Sequence, residues 1–240
     1  MAERQKEVIQ SQKAMVRNSL DSGRPEAALQ NLRVLLRQYP EDAELHNLMG
    51  LAQLALKNPA RAIHHFLSAY KIDEQSATAL NLSSAYLEGG DYSKAIKLLN
   101  SLMKETGKDA YPYKERVLHN LGYAHLKQGD MAKARGYFLS ALAENPAFYP
   151  SHLELARLYE KTKRPALAAK SYRQAIDYCD VCLEPVESLA RVYMKLGKAT
   201  EARRTLIRYA KIEGVSPADR GRANHLLRLS SLPANGKRKG

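Results

Sequence analysis

Cys179 and Cys182 stand three residues apart in the run Cys179-Asp180-Val181-Cys182 and are the only two cysteines in the chain. A pair at that spacing admits four chemistries. As half of a zinc site it needs two more ligands, and no other cysteine exists to supply a thiolate. As a redox centre it needs a helix N-terminus that follows a strand, and no strand pattern precedes it. A structural disulfide closing a tight loop requires an oxidising compartment. A reduced pair in an ordinary loop requires nothing further. The disulfide is the reading carried forward. So short a ring gives modest loop-closure stabilisation, so its expected role is to fix the angle between the elements that the loop joins.

The remaining residues offer less. His64 and His65 are adjacent in a helical stretch, with no second ligand pair spaced to complete a metal site, and read as a solvated helix face. No glycine-rich phosphate loop, His-Glu-x-x-His motif or nucleophile elbow occurs. No catalytic, cofactor-binding or metal-ligating residue is assigned, and the chain is read as a non-enzyme.

The elements that carry these residues follow from composition and spacing. Of the 240 residues, 45% are apolar and 26% charged, enough to bury a core and no reason to expect disorder. No apolar run approaches the roughly 20 residues needed to span a bilayer. The first twenty residues, MAERQKEVIQSQKAMVRNSL, lack the apolar core of a signal peptide. The net charge of +13 raises nucleic acid or anionic lipid as partners. Its distribution is uneven: residues 203–240 hold ten Lys and Arg against Glu213 and Asp219, a net of +8. The excess, from Arg203 and Arg204 through the Lys237-Arg238-Lys239 tail, therefore suits a basic C-terminal end that meets anionic lipid or an acidic partner. That distribution argues against nucleic acid as the main partner.

An alanine recurs at Ala28, Ala62, Ala95, Ala134, Ala168 and Ala202, with intervals of 34, 33, 39, 34 and 34. Four residues on lie Leu32, Phe66, Leu99, Phe138, Tyr172 and Leu206, one helical turn along the same face. Twelve residues before lie Val16, Gly50, Ser83, Gly122, Ala156 and Ala190, slim enough for two helices to approach closely. Breakers fall at the expected turns, including Gly23-Arg24-Pro25, Lys57-Asn58-Pro59 and Lys163-Arg164-Pro165, with each proline at a helix start. The period places a lead-in at residues 1–8, six helix pairs over 9–215 and a last helix over 216–232. That helix has Ser216 as N-cap, with Leu226, Leu227 and Leu229 covering the open end of the stack. A disordered basic tail is expected over 233–240. The long interval places an insertion at 106–116, where Tyr111 and Tyr113 flank Pro112.

This pattern resembles the tetratricopeptide repeat, most closely over residues 117–146, where Leu118, Leu121, Gly122, Ala134, Phe138, Ala141 and Pro146 occupy family positions. The resemblance implies an all-α fold, a right-handed α-solenoid of six helix–turn–helix repeats plus a capping helix. Each pair buries only part of its apolar face, so neighbours must stack to complete the core.

A narrower resemblance rests on the six tandem repeats, Tyr111-Pro112 in the insertion and Asn120-Leu121-Gly122 after it. Together these resemble the type IV pilus biogenesis pilotins, the PilF/PilW/Tgl family. That implies a periplasmic factor at the outer membrane, acting in secretin multimer assembly, and a protein partner that includes secretin subunits. Tgl-like members have periplasmic cysteines that can pair, which suits Cys179 and Cys182. Pilotins carry a lipoprotein signal and an acylated cysteine, so the resemblance expects this sequence to be the mature region. A cytoplasmic repeat adaptor is the alternative, and an RNA-associated repeat protein the third reading. A monomer is expected.

By the same resemblance, a partner would meet the first helix of each pair. The expected groove is Asn47, Leu48, Leu51, Leu54, Leu80, Asn81, Leu87, His119, Asn120, Tyr123 and Leu126, apolar with interleaved amides. It suits an amphipathic helix or an extended segment. Later repeats present Glu154, Arg157, Glu160, Lys161, Glu184, Glu187, Arg191 and Lys195, a charged face of mixed sign. Asn81 and Asn120 match positions of the family's carboxylate clamp, but Glu154 stands where an arginine would be needed, which argues against a receptor for chaperone tails.

Overall fold

The computed structural model describes residues 2–105 and 113–231. Two features expected from the sequence, the Tyr111-Pro112 part of the insertion and the 233–240 tail, lie outside the described residues. The elements are helices: α1 Ala2–Asp21, α2 Pro25–Gln38, α3 Ala43–Ala55, α4 Pro59–Ile72, α5 Ser76–Glu88, α6 Tyr92–Glu105 and α7 Lys114–Lys127. They continue with α8 Met131–Glu144, α9 Tyr149–Lys161, α10 Pro165–Tyr178, α11 Leu183–Lys195, α12 Ala199–Ala210 and α13 Pro217–Ser231. Helix α1 starts at Ala2, so the residues set aside as a lead-in are helical. The helices group into two units, Met1–Asp130 and Met131–Gly240.

One turn design is used six times. The second residue after α1, α3, α5, α7, α9 and α11 takes a left-handed backbone: Gly23, Lys57, Gly90, Gly129, Lys163 and Gly197, with φ between 57° and 90°. The following N–H bonds back five residues at 2.8–2.9 Å: Arg24 to Ser19, Asn58 to Gln53, Asp91 to Tyr86, Asp130 to His125, Arg164 to Tyr159 and Lys198 to Tyr193. This cap satisfies carbonyls that the helix end would leave bare. The next helix then starts at once, with Pro25, Pro59 and Pro165 in its first turn, where a missing N–H is harmless.

The recurring alanines are buried completely, and so are Leu32, Phe66, Leu99, Phe138 and Tyr172 beyond them. At the slim position, a Cβ on Gly50 would meet the Phe66 ring at 2.5 Å, so α3 and α4 touch only because that side chain is absent. In the first unit each helix packs on its neighbour, and α1, α3, α5 and α7 also touch in succession. In the second unit α11 and α13 do the same. The Ser216 hydroxyl receives the Asp219 N–H at 3.0 Å and donates to its carboxylate at 2.8 Å, capping α13. Leu226 and Leu227 pack onto the core of α11 and α12. Leu229 does not: it is 51% exposed, because it follows Leu226 and Leu227 round to the solvent side of α13.

Candidate partner-binding site

The residues expected to line the groove sit on α3, α5 and α7 of the first unit, and burial divides them. Leu48, Leu80 and Leu87 are buried, which corrects their assignment to an open face. Helix α3 is touched by α1, α2, α4 and α5, and α5 by α3, α4, α6 and α7, so the apolar stripe on each is wider than one face. Leu51 and Leu54 are half-buried and pack on the Phe66 core, while Tyr123 and Leu126 are half-buried on α7. The Lys127 ammonium lies 5.0 Å above the Tyr123 ring.

What remains towards solvent is a ladder of amides. Asn81 Nδ2 donates to Asn47 Oδ1 at 3.1 Å, from α5 to α3. Asn120 Nδ2 donates to Ser84 Oγ at 3.2 Å, from α7 to α5, and Ser84 donates to the Leu80 carbonyl at 3.1 Å. Each side-chain amide has two donor hydrogens and an acceptor oxygen. One bond apiece leaves Asn47 its donors and Asn81 and Asn120 their acceptors, a set that matches a peptide group. His119 is next to this ladder, and burial lowers its pKa to about 4, so it is neutral at pH 7.

Ion pairs hold the ends of the two units. Lys13 on α1, 6% exposed at its side chain, lies 2.7 Å from Asp42 and 3.0 Å from Glu44, and Arg17 pairs with Glu44 as well. Asp42 also caps α3 by accepting the Leu45 N–H at 3.0 Å. In the second unit Arg157 bridges Glu154 and Glu184, Lys195 lies 3.4 Å from Glu160, and Arg222 lies 3.0 Å from Glu187. Tyr172 donates to Glu160 at 2.7 Å, and burial together with that bond raises its pKa. Arg191 is turned to the Ser188 hydroxyl at 3.1 Å. The mixed-sign face expected there is thus largely ion-paired, with Arg191 turned to a hydroxyl and Lys161 exposed on α9. Sequence reasoning missed the cluster around Lys13. Its signal was a basic pair one turn apart on α1 facing an acidic helix start.

The sulfurs of Cys179 and Cys182 are joined, 1.96 Å apart, across Cα atoms 5.4 Å apart. Their loop is held by Tyr209 of α12, whose hydroxyl donates to the Val181 carbonyl at 2.9 Å. Beside it is a cavity of about 360 Å³ lined by Arg173, Arg204 and Arg208, with Asp177 and Asp180 opposing them. Among the described residues no group of three or more His, Cys, Asp or Glu is placed to hold a metal ion, and no helix is long and apolar enough to cross a membrane.

The tetratricopeptide-repeat model matches residues 14–77 and 119–179, and a second model of the same repeat matches 53–114. The chain is a tetratricopeptide-repeat protein. Its fold is all-α and solenoid-like, as the alanine period implied. It is similar to the type IV pilus assembly protein PilF of Pseudomonas aeruginosa, 29% identical over 154 residues, 64% of this chain. The chain spans 60% of the length of that relative in the match. The solved structure of P. aeruginosa PilF superposes with a TM-score of 0.66 at 20% identity, covering 92% of this chain and 98% of that one. PilW, a widely conserved type IV pilus biogenesis factor, superposes at 0.70 with 17% identity, over 90% and 98% of the two chains. These structural likenesses speak to the fold of the repeat protein. Proteins built from this repeat bind protein partners and are generally non-enzymatic.

Proposed function

We propose that the protein is a pilotin-like assembly factor, a scaffold on the periplasmic side of the outer membrane that holds type IV pilus secretin subunits before they form a multimer. The observation that carries this reading is the similarity to PilF over 154 residues. The amide ladder supplies the chemistry. Asn47, Asn81 and Asn120 keep hydrogen-bonding capacity in a row one repeat apart, which suits the backbone of an extended partner segment, with Leu51, Leu54, Tyr123 and Leu126 beside it for apolar side chains. The joined cysteines support an oxidising compartment. The monomer is the functional unit in this reading. The arginine-lined cavity and the basic residues of α12 are the surface for anionic lipid or an acidic partner.

The test is co-purification with the secretin of the same organism, together with a count of secretin multimers in cells with and without the gene. Retention of secretin by the protein, and loss of multimers without it, supports the reading. Normal multimers in the deletion strain would eliminate it and leave a repeat adaptor for another partner.

A further inference from the structure

The sequence leaves His64 and His65 on a helix face with no partner, and the structure supplies one. His46, in the first turn of α3, brings its Nδ1 to 3.3 Å from Nδ1 of His65 on α4. Its Nε2 lies 2.9 Å from the Pro40 carbonyl oxygen. A carbonyl only accepts, so His46 carries its hydrogen on Nε2 and a lone pair on Nδ1. The contact between the rings is then a hydrogen bond donated by His65 Nδ1–H.

The second unit contains an internal control. His152 Nε2 lies 2.9 Å from the Pro146 carbonyl, so the histidine–proline brace is a recurring way to start a helix. His152 follows His46 by 106 residues, and Ser171 occupies the position 106 residues beyond His65. There the histidine stacks on Tyr178, with ring centroids 5.5 Å apart. The second imidazole is the addition specific to His46 and His65.

We propose that His46 and His65 form a two-imidazole site for a divalent transition ion such as zinc, nickel or copper. Two imidazole nitrogens bound to one ion at about 2.0–2.1 Å, at a tetrahedral angle, stand roughly 3.3 Å apart. That separation is already present. His65 moves its ring proton from Nδ1 to Nε2 through water, which frees a second lone pair, and no proton is lost overall. His46 keeps its tautomer, and both rings turn slightly so that their lone pairs meet at the ion instead of along the line between the nitrogens. Its Nε2–H bond to Pro40 is the outer hydrogen bond that orients metal-ligating imidazoles and fixes their tautomer. Water fills the remaining positions: a cavity of about 310 Å³ opens beside His46, with Glu41 and Lys71 among its lining residues. Glu41 favours a cation there and Lys71 opposes it. With two protein ligands the site is open, and it binds more weakly than a closed four-ligand site.

The test is a calorimetric titration of zinc into the oxidised, untagged and chelator-treated full chain at pH 7.5, with the imidazole nitrogens followed by NMR. The expected result is one saturable site, with His65 changing to the Nε2–H tautomer. Affinity should fall at least tenfold in His65→Gln and stay unchanged in His64→Gln and His152→Gln, all with wild-type circular dichroism. Undiminished binding by folded His65→Gln, loss of binding in His64→Gln, or no saturable site in the wild type would overturn the assignment.

Discussion

Asn47 and Asn81 sit on the first helices of adjacent repeats, 34 residues apart, and the Nδ2 of Asn81 donates to the Oδ1 of Asn47 at 3.1 Å. The bond joins α3 to α5 and orients both amides towards the face that a partner would meet. A second bond, from Asn120 Nδ2 to Ser84 Oγ at 3.2 Å, joins α7 to α5 on the same side. A row of polar groups linked in this way rigidifies its helices and holds the unused donors and acceptors in a fixed register.

Gly50 sets the closest approach of α3 and α4, with the Phe66 ring 2.5 Å from where a Cβ would sit. Phe66 is completely buried. Gly50→Ala gains about 1 kcal/mol of helix propensity but overpacks the contact by about 1–3 kcal/mol. A net loss of about 1 kcal/mol is expected in urea denaturation at unchanged slope. A midpoint equal to that of the wild type would show that the contact is soft.

Lys163 holds a left-handed conformation with φ 57° at a cap where four of the six equivalent residues are glycine. That conformation costs a non-glycine residue about 1–2 kcal/mol, and glycine adds unfolded-state entropy that cancels part of the relief. Lys163→Gly should stabilise the protein by about 0.5–1 kcal/mol, read as a rise in Tm. A fall would mean that the lysine makes a compensating contact.

Lys13 is buried between Asp42 and Glu44, at 2.7 and 3.0 Å. Lys13→Met keeps the aliphatic packing but takes the ammonium away from both carboxylates, leaving Glu44 with Arg17 and Asp42 with the Leu45 N–H. A loss of about 2–3 kcal/mol is expected, since removing one member of a buried pair strands the other charge. Equal stability in thermal denaturation would show that the cluster contributes nothing net.

Burial lowers the His119 pKa to about 4, against 6.5 when unfolded. The folded state therefore binds fewer protons than the unfolded state between those two values, and stability rises with pH across that window. The stabilisation is complete above pH 6.5 and is lost as the pH falls towards 4, by at most about 3 kcal/mol. His119→Gln should flatten the stability profile in that range relative to the wild type. An identical profile in both proteins would contradict a neutral buried imidazole.

Much of the architecture was legible because it repeats. Ala28 through Ala202 gave both helix order and the buried register, since a contact that recurs every 34 residues leaves a period in the chain. The turns at Lys57-Asn58-Pro59 and Lys163-Arg164-Pro165 were read from their prolines, but their left-handed backbone was not, because lysine takes the place of glycine there. The groove was read less well. Leu48, Leu80 and Leu87 look like one exposed stripe, but α3 and α5 each have four neighbouring helices, and these leucines fill the contacts between them. Contacts such as His46 with His65, or Lys13 with Asp42, join helices in pairs that occur once and leave no period to find. Charge pairing between Arg157 and Glu184 was invisible for the same reason.

The most direct test of partner binding on the amide ladder is retention of the secretin by Asn47→Ala/Asn81→Ala, compared with the wild type and with Arg191→Ala in the second unit. The double variant should lose most of the retained secretin, with circular dichroism unchanged, while Arg191→Ala keeps it. Full retention by the folded double variant would contradict the assignment of this face.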